Sequence, residues 1–189
     1  SSVASDSASV ADSPARSRPT LEITGIENWL NGEPTTIADE AARDNVVLID
    51  FWTYTCINCV RTIPRLRTWH DKYGDHGLKI IGIHSPEFEF EKDTENVRRA
   101  IDRLGVNWLV AQDNDMATWR AFDNNVWPAT FLFSAGGLPI YQHFGEGDYN
   151  VTETRIREAL ISAGADLSDI PFEKLSDDVR DPLALTETQ

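Results

Sequence analysis

The feature that most constrains this chain is a pair of cysteines, Cys56 and Cys59, which directly follows a short run of large apolar residues. The run, residues 46–51 (VVLIDF), is rich in β-branched side chains and is typical of a buried central strand. Behind it, residues 56–73 carry apolar side chains at helical spacing, namely Val60, Ile63, Leu66, Trp69 and Tyr73. This pattern predicts a helix that opens at the cysteine pair and is bent by Pro64. The cysteines are therefore expected at a strand–helix junction.

A helix start is a favourable place for a thiolate. The first backbone N–H groups of a helix have no partner within the helix, and the helix dipole is positive there. Both effects favour the ionised form of Cys56, whereas Cys59 lies one turn further in and is more shielded. We therefore expect Cys56 to attack a partner disulfide and Cys59 to resolve the mixed disulfide that results.

Two structural roles compete with this one. A disulfide that closes so short a loop restricts the unfolded chain only slightly, so it would add little stability. A zinc site needs four ligands, and the chain has no second cysteine pair. Its histidines also lack the spacing that zinc sites have; they are His70, His76, His84 and His143. We predict no metal and no cofactor other than the redox-active disulfide that Cys56 and Cys59 can form.

Two further functions stay open. Thr53 lies three residues before Cys56, as in peroxide-reducing thiol proteins, but Ile49 stands where those proteins carry a proline. A thiol peroxidase is therefore one alternative to disulfide exchange. A non-enzymatic peptide-binding module is the other, and it would use a groove beside Trp127 and the aromatic pair Phe88 and Phe90.

The remaining patterns predict an α/β fold. They indicate a strand at 78–84, helices at 93–104 and 114–122, a hairpin of strands 130–133 and 140–144, and a helix at 152–163. With the first strand and helix, they predict a parallel βαβ half followed by an antiparallel hairpin half. The expected architecture is a central mixed sheet flanked by helices.

Composition divides the chain into three parts. Residues 1–19, rich in Ser, Ala and Asp, are expected to form a flexible leader. Residues 20–165 form the globular domain, and residues 166–189 an acidic C-terminal tail. A start at Ser1 fits removal of a signal peptide, and equally a trimmed chain. The net charge of −14 argues against a nucleic-acid partner, and no apolar run approaches the roughly 20 residues of a membrane-spanning helix.

Residues 50–59, DFWTYTCINC, resemble the active-site strand and helix of thioredoxin-like proteins. More narrowly, they resemble the thioredoxin-like domain of DipZ-type (TlpA-like) thiol–disulfide interchange proteins. Further motifs fit that group: WLN at 29–31, GIHSPEFEFEK at 82–92, DN at 113–114, WPA at 127–129 and FGEGDY at 144–149. The resemblance implies the thioredoxin fold and an oxidoreductase that exchanges disulfides with exported proteins.

The same resemblance implies a cellular setting. It favours an extracytoplasmic protein, whether periplasmic, secreted or tethered to a membrane from outside, that acts as a reductant. Its partners would be protein disulfides or dithiols. DipZ-type proteins often join this domain to a membrane electron carrier, so a membrane electron-donor protein is the expected source of electrons. We also expect a monomer.

Several site residues follow from the resemblance by position. Pro128 matches a proline that in this fold follows a cis peptide bond beside the cysteine pair and turns Trp127 toward an extended substrate. Asp50 matches a buried acid that accepts the proton of the second cysteine; the alternative is a side chain that reaches solvent at the strand's end. Trp52 is expected to cover the disulfide, the alternative being a tryptophan that is simply packed in the core. Thr55 is expected to contact substrate.

The segment SPEFEFEK, residues 85–92, permits two interpretations. Its glutamates alternate with Phe88 and Phe90, which predicts an extended segment with one face buried and the charges in water. Alternatively, Glu87 or His84 lies near the cysteines and relays protons.

Overall fold

A computed structural model describes residues 21–174 of the chain. The strands are β1 (Asn28–Leu30), β2 (Val46–Trp52), β3 (Leu78–His84), β4 (Leu109–Gln112), β5 (Ala129–Phe133) and β6 (Pro139–Phe144). The helices are α1 (Ile37–Ala42), α2 (Ile57–Tyr73), α3 (Thr94–Leu104), α4 (Ala117–Ala121) and α5 (Tyr149–Ser162). The predicted leader at 1–19 and the last part of the acidic tail lie outside the described residues.

One six-stranded sheet forms the centre of the fold, in the order β1-β4-β3-β2-β5-β6. All seven residues of β2 are buried, because it lies inside the sheet between β3 and β5. The pairs β2–β3 and β3–β4 are parallel, whereas β2–β5 and the hairpin β5–β6 are antiparallel. The prediction of a mixed sheet with a parallel half and an antiparallel hairpin half is thus confirmed.

The two faces of the sheet carry separate cores. On one face, Leu66 of α2 packs in a cluster with Ile101 of α3 and Ile156 of α5. On the other, α1 and α4 pack against the sheet, and Phe51 of β2 meets Trp119 edge to face with ring centroids 5.8 Å apart. Because side chains alternate along a strand, the even-numbered residues of β2 face α2 and the cysteines.

Three short elements were not predicted. β1 has three residues, β4 four and α1 six, which is too few for a periodic pattern to show. The helix predicted at 114–122 is shorter in the structure, because Met116 takes a left-handed backbone conformation (φ 57°) directly before it. The carboxylate of Asp113 then accepts the N–H groups of Thr118 and Trp119 at 3.0 and 2.9 Å.

The packed part of the chain continues beyond the last helix. Leu167 is buried in the core on the α2 face, and Ile170 packs against the same core, so packing extends past residue 165. Among residues 21–174, no helix is long and apolar enough to cross a bilayer. No three His, Cys, Asp or Glu side chains of that part of the chain form a cluster that could hold a metal ion.

Candidate redox site

Cys56 caps the amino terminus of α2. Its sulfur accepts the backbone N–H of Cys59 at 3.2 Å, and its own N–H donates to the carbonyl of Thr53 at 3.2 Å. Cys56 is partly exposed, whereas Cys59, in the first turn, is 2 % exposed. Both are free thiols in this structure. The strand β2 ends at Trp52, so the expected strand–helix junction is confirmed.

The two thiols differ strongly in acidity. A hydrogen bond with the Cys59 thiol is the main cause that lowers the pKa of Cys56 to about 7, and the N–H groups of Cys59 and Asn58 add to it. Burial and the charge of Glu87 act in the opposite direction. For Cys59, in contrast, burial is the main cause, and it raises the pKa of this thiol. The neighbouring Cys56 raises the pKa of Cys59 further. At neutral pH a large share of Cys56 is therefore thiolate, while Cys59 keeps its proton.

Asp50 lies in β2 beneath the cysteine pair. Its side chain is buried, which excludes the alternative in which it reaches solvent, and its Oδ1 has no hydrogen-bond partner among residues 21–174. Burial, and then the charge of Cys56, raise the pKa of Asp50 well above its usual range. The charge of Asp50 in turn raises the pKa of Cys59. An acid that is hard to ionise thus lies within electrostatic reach of the resolving thiol.

Glu91 is a site residue that the sequence interpretation missed. It is completely buried. Its carboxylate accepts the hydroxyl of Thr53, the hydroxyl of Thr55 at 2.5 Å and the N–H of Glu87 at 3.1 Å. Three donors can compensate a buried carboxylate that would otherwise be very unfavourable. Thr53 and Thr55 are 38 and 36 residues away from Glu91 in sequence.

The first interpretation of residues 85–92, an extended segment with one face buried and its charges in water, is therefore wrong. Glu89–Lys92 form a 3₁₀ turn, not an extended segment. Phe88 and Phe90 are 48 % and 54 % exposed, whereas the buried side chain of the turn is Glu91. The reason is that the donors from the loop before Cys56 fix the carboxylate inside, and the turn then directs both aromatic rings outward.

Thr53 connects Glu91 to both cysteines. Its hydroxyl is bound by Glu91, its carbonyl accepts the N–H of Cys56, and its backbone forms a hydrogen bond that lowers the pKa of Cys59. The hydroxyl is therefore engaged by Glu91, and the side chain is fully buried.

The proposed relay residues occupy different places. His84 is buried, and burial lowers its pKa to about 4, so it is neutral at pH 7. Its Nε2 accepts the N–H of Tyr54 at 3.3 Å, and its Nδ1 has no hydrogen-bond partner among the described residues. Glu87 is exposed and acts on Cys56 through its charge. The structure thus brings Glu87 near the reacting thiol and places His84 behind the loop.

The peptide bond between Trp127 and Pro128 is cis, as the resemblance implies. Trp127 is half-buried; its indole N–H donates to the carbonyl of Ser85 at 2.9 Å, and its ring lies 4.2 Å from that of Trp119. Pro128 leads into β5, whose first residue pairs with Phe51 of β2. The cis bond therefore lies at the same end of the sheet as the cysteines.

The last two predicted residues differ in exposure. Trp52 is 2 % exposed, so in this structure it lies beneath the site and not on its surface. Gly82 makes room for it, since a Cβ at position 82 would be 2.8 Å from the indole nitrogen of Trp52. Thr55 is exposed, although its hydroxyl is bound by Glu91.

Comparison with known proteins agrees with this geometry. The model of the AhpC/TSA family matches residues 18–138, which include both cysteines, Asp50 and Pro128. The chain belongs to the AhpC/TSA family. One relative is Protein DipZ of Mycobacterium tuberculosis, to which this AhpC/TSA domain is 46 % identical over 143 residues. These residues cover 75 % of the chain and 21 % of DipZ. It therefore spans about a fifth of the length of that relative.

Two further matches cover nearly the whole of the other protein. The domain is 28 % identical over 143 residues to the thiol-disulfide oxidoreductase YkuV of Bacillus subtilis, covering 76 % of this chain and 95 % of YkuV. A solution structure of a thioredoxin-like protein in the oxidized form superimposes with a TM-score of 0.66 at 27 % identity, covering 76 % of this chain and 95 % of the other. The thioredoxin fold and the resemblance to DipZ are thus confirmed.

Proposed function

We propose that this domain is a thiol–disulfide oxidoreductase that reduces disulfides in exported proteins through Cys56 and Cys59. The observation that carries the proposal is the placement of the pair: an acidic, partly exposed thiol caps α2, and a buried thiol lies one turn behind it. The names of the relatives support it, because two of them, YkuV and ResA, are thiol-disulfide oxidoreductases.

The reaction proceeds in two exchanges. The Cys56 thiolate attacks one sulfur of the substrate disulfide, so a mixed disulfide forms and the other substrate sulfur leaves as a thiolate. Cys59 then loses its proton and attacks the Cys56 sulfur, which releases the second substrate sulfur and closes the Cys56–Cys59 disulfide. Two electrons pass to the substrate, and the released thiolates take up two protons.

Asp50, in its ionised form, is proposed as the group that accepts the Cys59 proton; formation of the mixed disulfide removes the charge of Cys56, one of the two causes that disfavour that form. It is buried, its Oδ1 is without a partner among the described residues, and its charge acts on Cys59. We expect Asp50→Asn to slow the second exchange by about 10²-fold, because a positioned base contributes roughly that much. The measurement is the reaction with an aromatic disulfide whose two thiolates are released, and seen by absorbance, one after the other. The second phase should slow while the first stays within about twofold.

Asp71→Asn, an exposed acid on α2, is the matched control and should change neither phase. Equal rates of the second phase in Asp50→Asn and wild type would remove Asp50 from the mechanism.

The cis bond beside the cysteines provides the proposed substrate position. Trp127 and Pro128 lie at the sheet end that carries Cys56, and an extended polypeptide can pair there with the backbone of Trp127. The exposed Thr55 lies in the loop before Cys56. It is proposed to contact the side of the bound polypeptide that faces away from Trp127.

Reduction is the proposed direction. The pKa of Cys56, about 7, matches thioredoxin-type reductants, whereas the strong oxidant of this fold has a first-cysteine pKa of about 3.5. The resemblance to DipZ-type proteins agrees. We expect the dithiol, equilibrated in glutathione buffers of known ratio, to show a potential closer to about −270 mV than to about −120 mV. A value near −120 mV would reverse the direction that we propose.

The partners and the location are proposed on the DipZ resemblance. A membrane electron-donor protein would re-reduce the disulfide, and the domain would act outside the cytoplasm as a monomer. Recovery of the full protein in the cytosolic fraction would contradict this setting. Peroxide reduction is less well supported, because the hydroxyl of Thr53 is buried and bound by Glu91.

A further inference from the structure

We propose that Phe88 and Phe90 form a docking surface for a basic, extended segment of the protein whose disulfide Cys56 attacks. We call this surface the aromatic ledge. The inference rests on the proposed oxidoreductase function and names the chemical class of its substrate.

Both aromatic rings of the ledge are exposed to solvent and stacked on each other. The rings of Phe88 and Phe90 are 48 % and 54 % exposed, and they lie parallel within 7° with centroids 5.6 Å apart. Two stacked aromatic rings in water form a ready apolar surface, and aromatic residues are enriched where proteins bind one another. Their position in a short turn leaves no part of the described core for them to fill.

Hydrogen bonds hold the aromatic ledge against the loop that precedes Cys56. Glu91, the residue after Phe90, binds the hydroxyls of Thr53 and Thr55, directly before Cys56. The carbonyl of Phe90 accepts the hydroxyl of Tyr54 at 3.4 Å and the side-chain amide of Asn96 at 3.0 Å. Contacts from the loop on one side and from α3 on the other therefore fix the ledge beside the reacting thiol.

Charge indicates which segment fits there. A groove next to Phe88 is lined by three carboxylates, those of Glu87, Glu89 and Asp115, and by one cation, Lys92. Lys92 already pairs with Glu89 at 3.0 Å. Glu87 is near enough to Cys56 to act on its ionisation. An arriving Lys or Arg would meet negative charge, and its cation could also lie over an aromatic ring.

The same charges disfavour other occupants. An acidic segment would be repelled, and so would a second copy of this chain, which carries a net charge of −14. A basic segment with an apolar or aromatic residue satisfies both the groove and the rings. We therefore assign the ledge to the chain that flanks a substrate cysteine.

The test uses two synthetic peptides, each closed by one disulfide, with Lys-Phe flanks in one and Glu-Ser flanks in the other. We expect the wild-type protein to reduce the Lys-Phe peptide with a kcat/KM about tenfold higher, which corresponds to burial of one aromatic side chain and a charge contact. The double variant Phe88→Ser, Phe90→Ser should lose this preference through a higher KM. Added salt should reduce the preference as well, because the charges are exposed.

Glutathione disulfide, which is too small to span the ledge, separates this proposal from the proposed function. Its reduction should stay within about twofold in the double variant; if wild type fails to reduce it, the oxidoreductase function itself is wrong. The matched control is Leu138→Ser, Ile140→Ser, two exposed apolar residues at the opposite end of the β5–β6 hairpin from the cis bond, which should leave the peptide preference intact.

Two outcomes would overturn the assignment. One is an equal kcat/KM of the wild-type protein for both peptides. The other is a dimer that the wild-type chain forms in sedimentation experiments and that the double variant does not form. Such a result would assign the ledge to self-association.

Discussion

Replacing Cys56 with serine is expected to lower the rate of insulin disulfide reduction by about a thousandfold or more, to the uncatalysed background. A serine hydroxyl is not ionised at neutral pH and cannot form a disulfide, so both the attack and the mixed disulfide are lost. The measurement is the precipitation of reduced insulin chains with a dithiol as the source of electrons. A Cys56→Ser protein that works at the wild-type rate would end the oxidoreductase proposal.

Cys59→Ser is the informative partner variant. It keeps the attacking thiolate and removes the resolving thiol, so it should accumulate a mixed disulfide with its substrate.

In the wild-type protein, the rate of attack should rise about tenfold per pH unit up to the pKa of Cys56, about 7, and level off above it, because only the thiolate reacts. A rate that still rises tenfold per unit up to pH 9 would mean that neither the Cys59 thiol nor the N–H groups at the start of α2 stabilise the thiolate.

Replacing Glu91 with alanine is expected to lower the free energy of unfolding by about 3 kcal/mol. The substitution removes an acceptor that binds the hydroxyls of Thr53 and Thr55 and the N–H of Glu87. The Thr53 hydroxyl is then left unsatisfied in the interior, which costs about 1–3 kcal/mol. The Thr55 hydroxyl and the Glu87 N–H add less, because these residues are exposed and water can replace the carboxylate. Urea unfolding of the reduced protein measures the change as a shift of the midpoint at constant slope.

Glu89→Gln is the matched control in the same turn. The side chain of Glu89 is 88 % exposed, and its ion pair with Lys92 is at the surface, so the change should stay below about 0.5 kcal/mol. Glu91→Gln should fall between the two, because its amide keeps one acceptor oxygen and presents an NH₂ group to donors. If Glu91→Ala has the same free energy of unfolding as Glu89→Gln, the hydrogen bonds of Glu91 do not stabilise the fold.

The parts of the site that local patterns specify could be predicted. An apolar run that ends shortly before a cysteine pair, followed by a helical repeat, was enough to place Cys56 at the start of α2. The burial of Asp50 was implied by the resemblance, while its position near the end of that run left solvent exposure open. The cis bond before Pro128 came from the resemblance and not from spacing, since no local pattern distinguishes a cis proline from a trans one.

The turn that carries Glu91 shows where such patterns fail. Alternating glutamate and phenylalanine is the period of a half-buried strand, and it predicted buried aromatic rings. The outcome was decided by Thr53 and Thr55, whose hydroxyls come from a distant part of the chain and make a buried carboxylate possible. β1 and β4 were missed for a different reason: strands of three and four residues acquire their identity from the neighbours they pair with.

Most of the reactive face is encoded in one uninterrupted stretch, from Asp50 in β2 to Lys92 after β3. Trp127, Pro128 and the groove residue Asp115 come from later in the chain. Within this stretch, sulfur chemistry belongs to the loop after β2, and the aromatic ledge to the loop after β3. With the proposed role of the aromatic ledge, substitutions at positions 88 and 90 would change substrate selectivity and leave Cys56, Cys59 and Asp50 unaltered. Within the loop after β3, Glu91 would have to be kept, because its carboxylate joins the two loops.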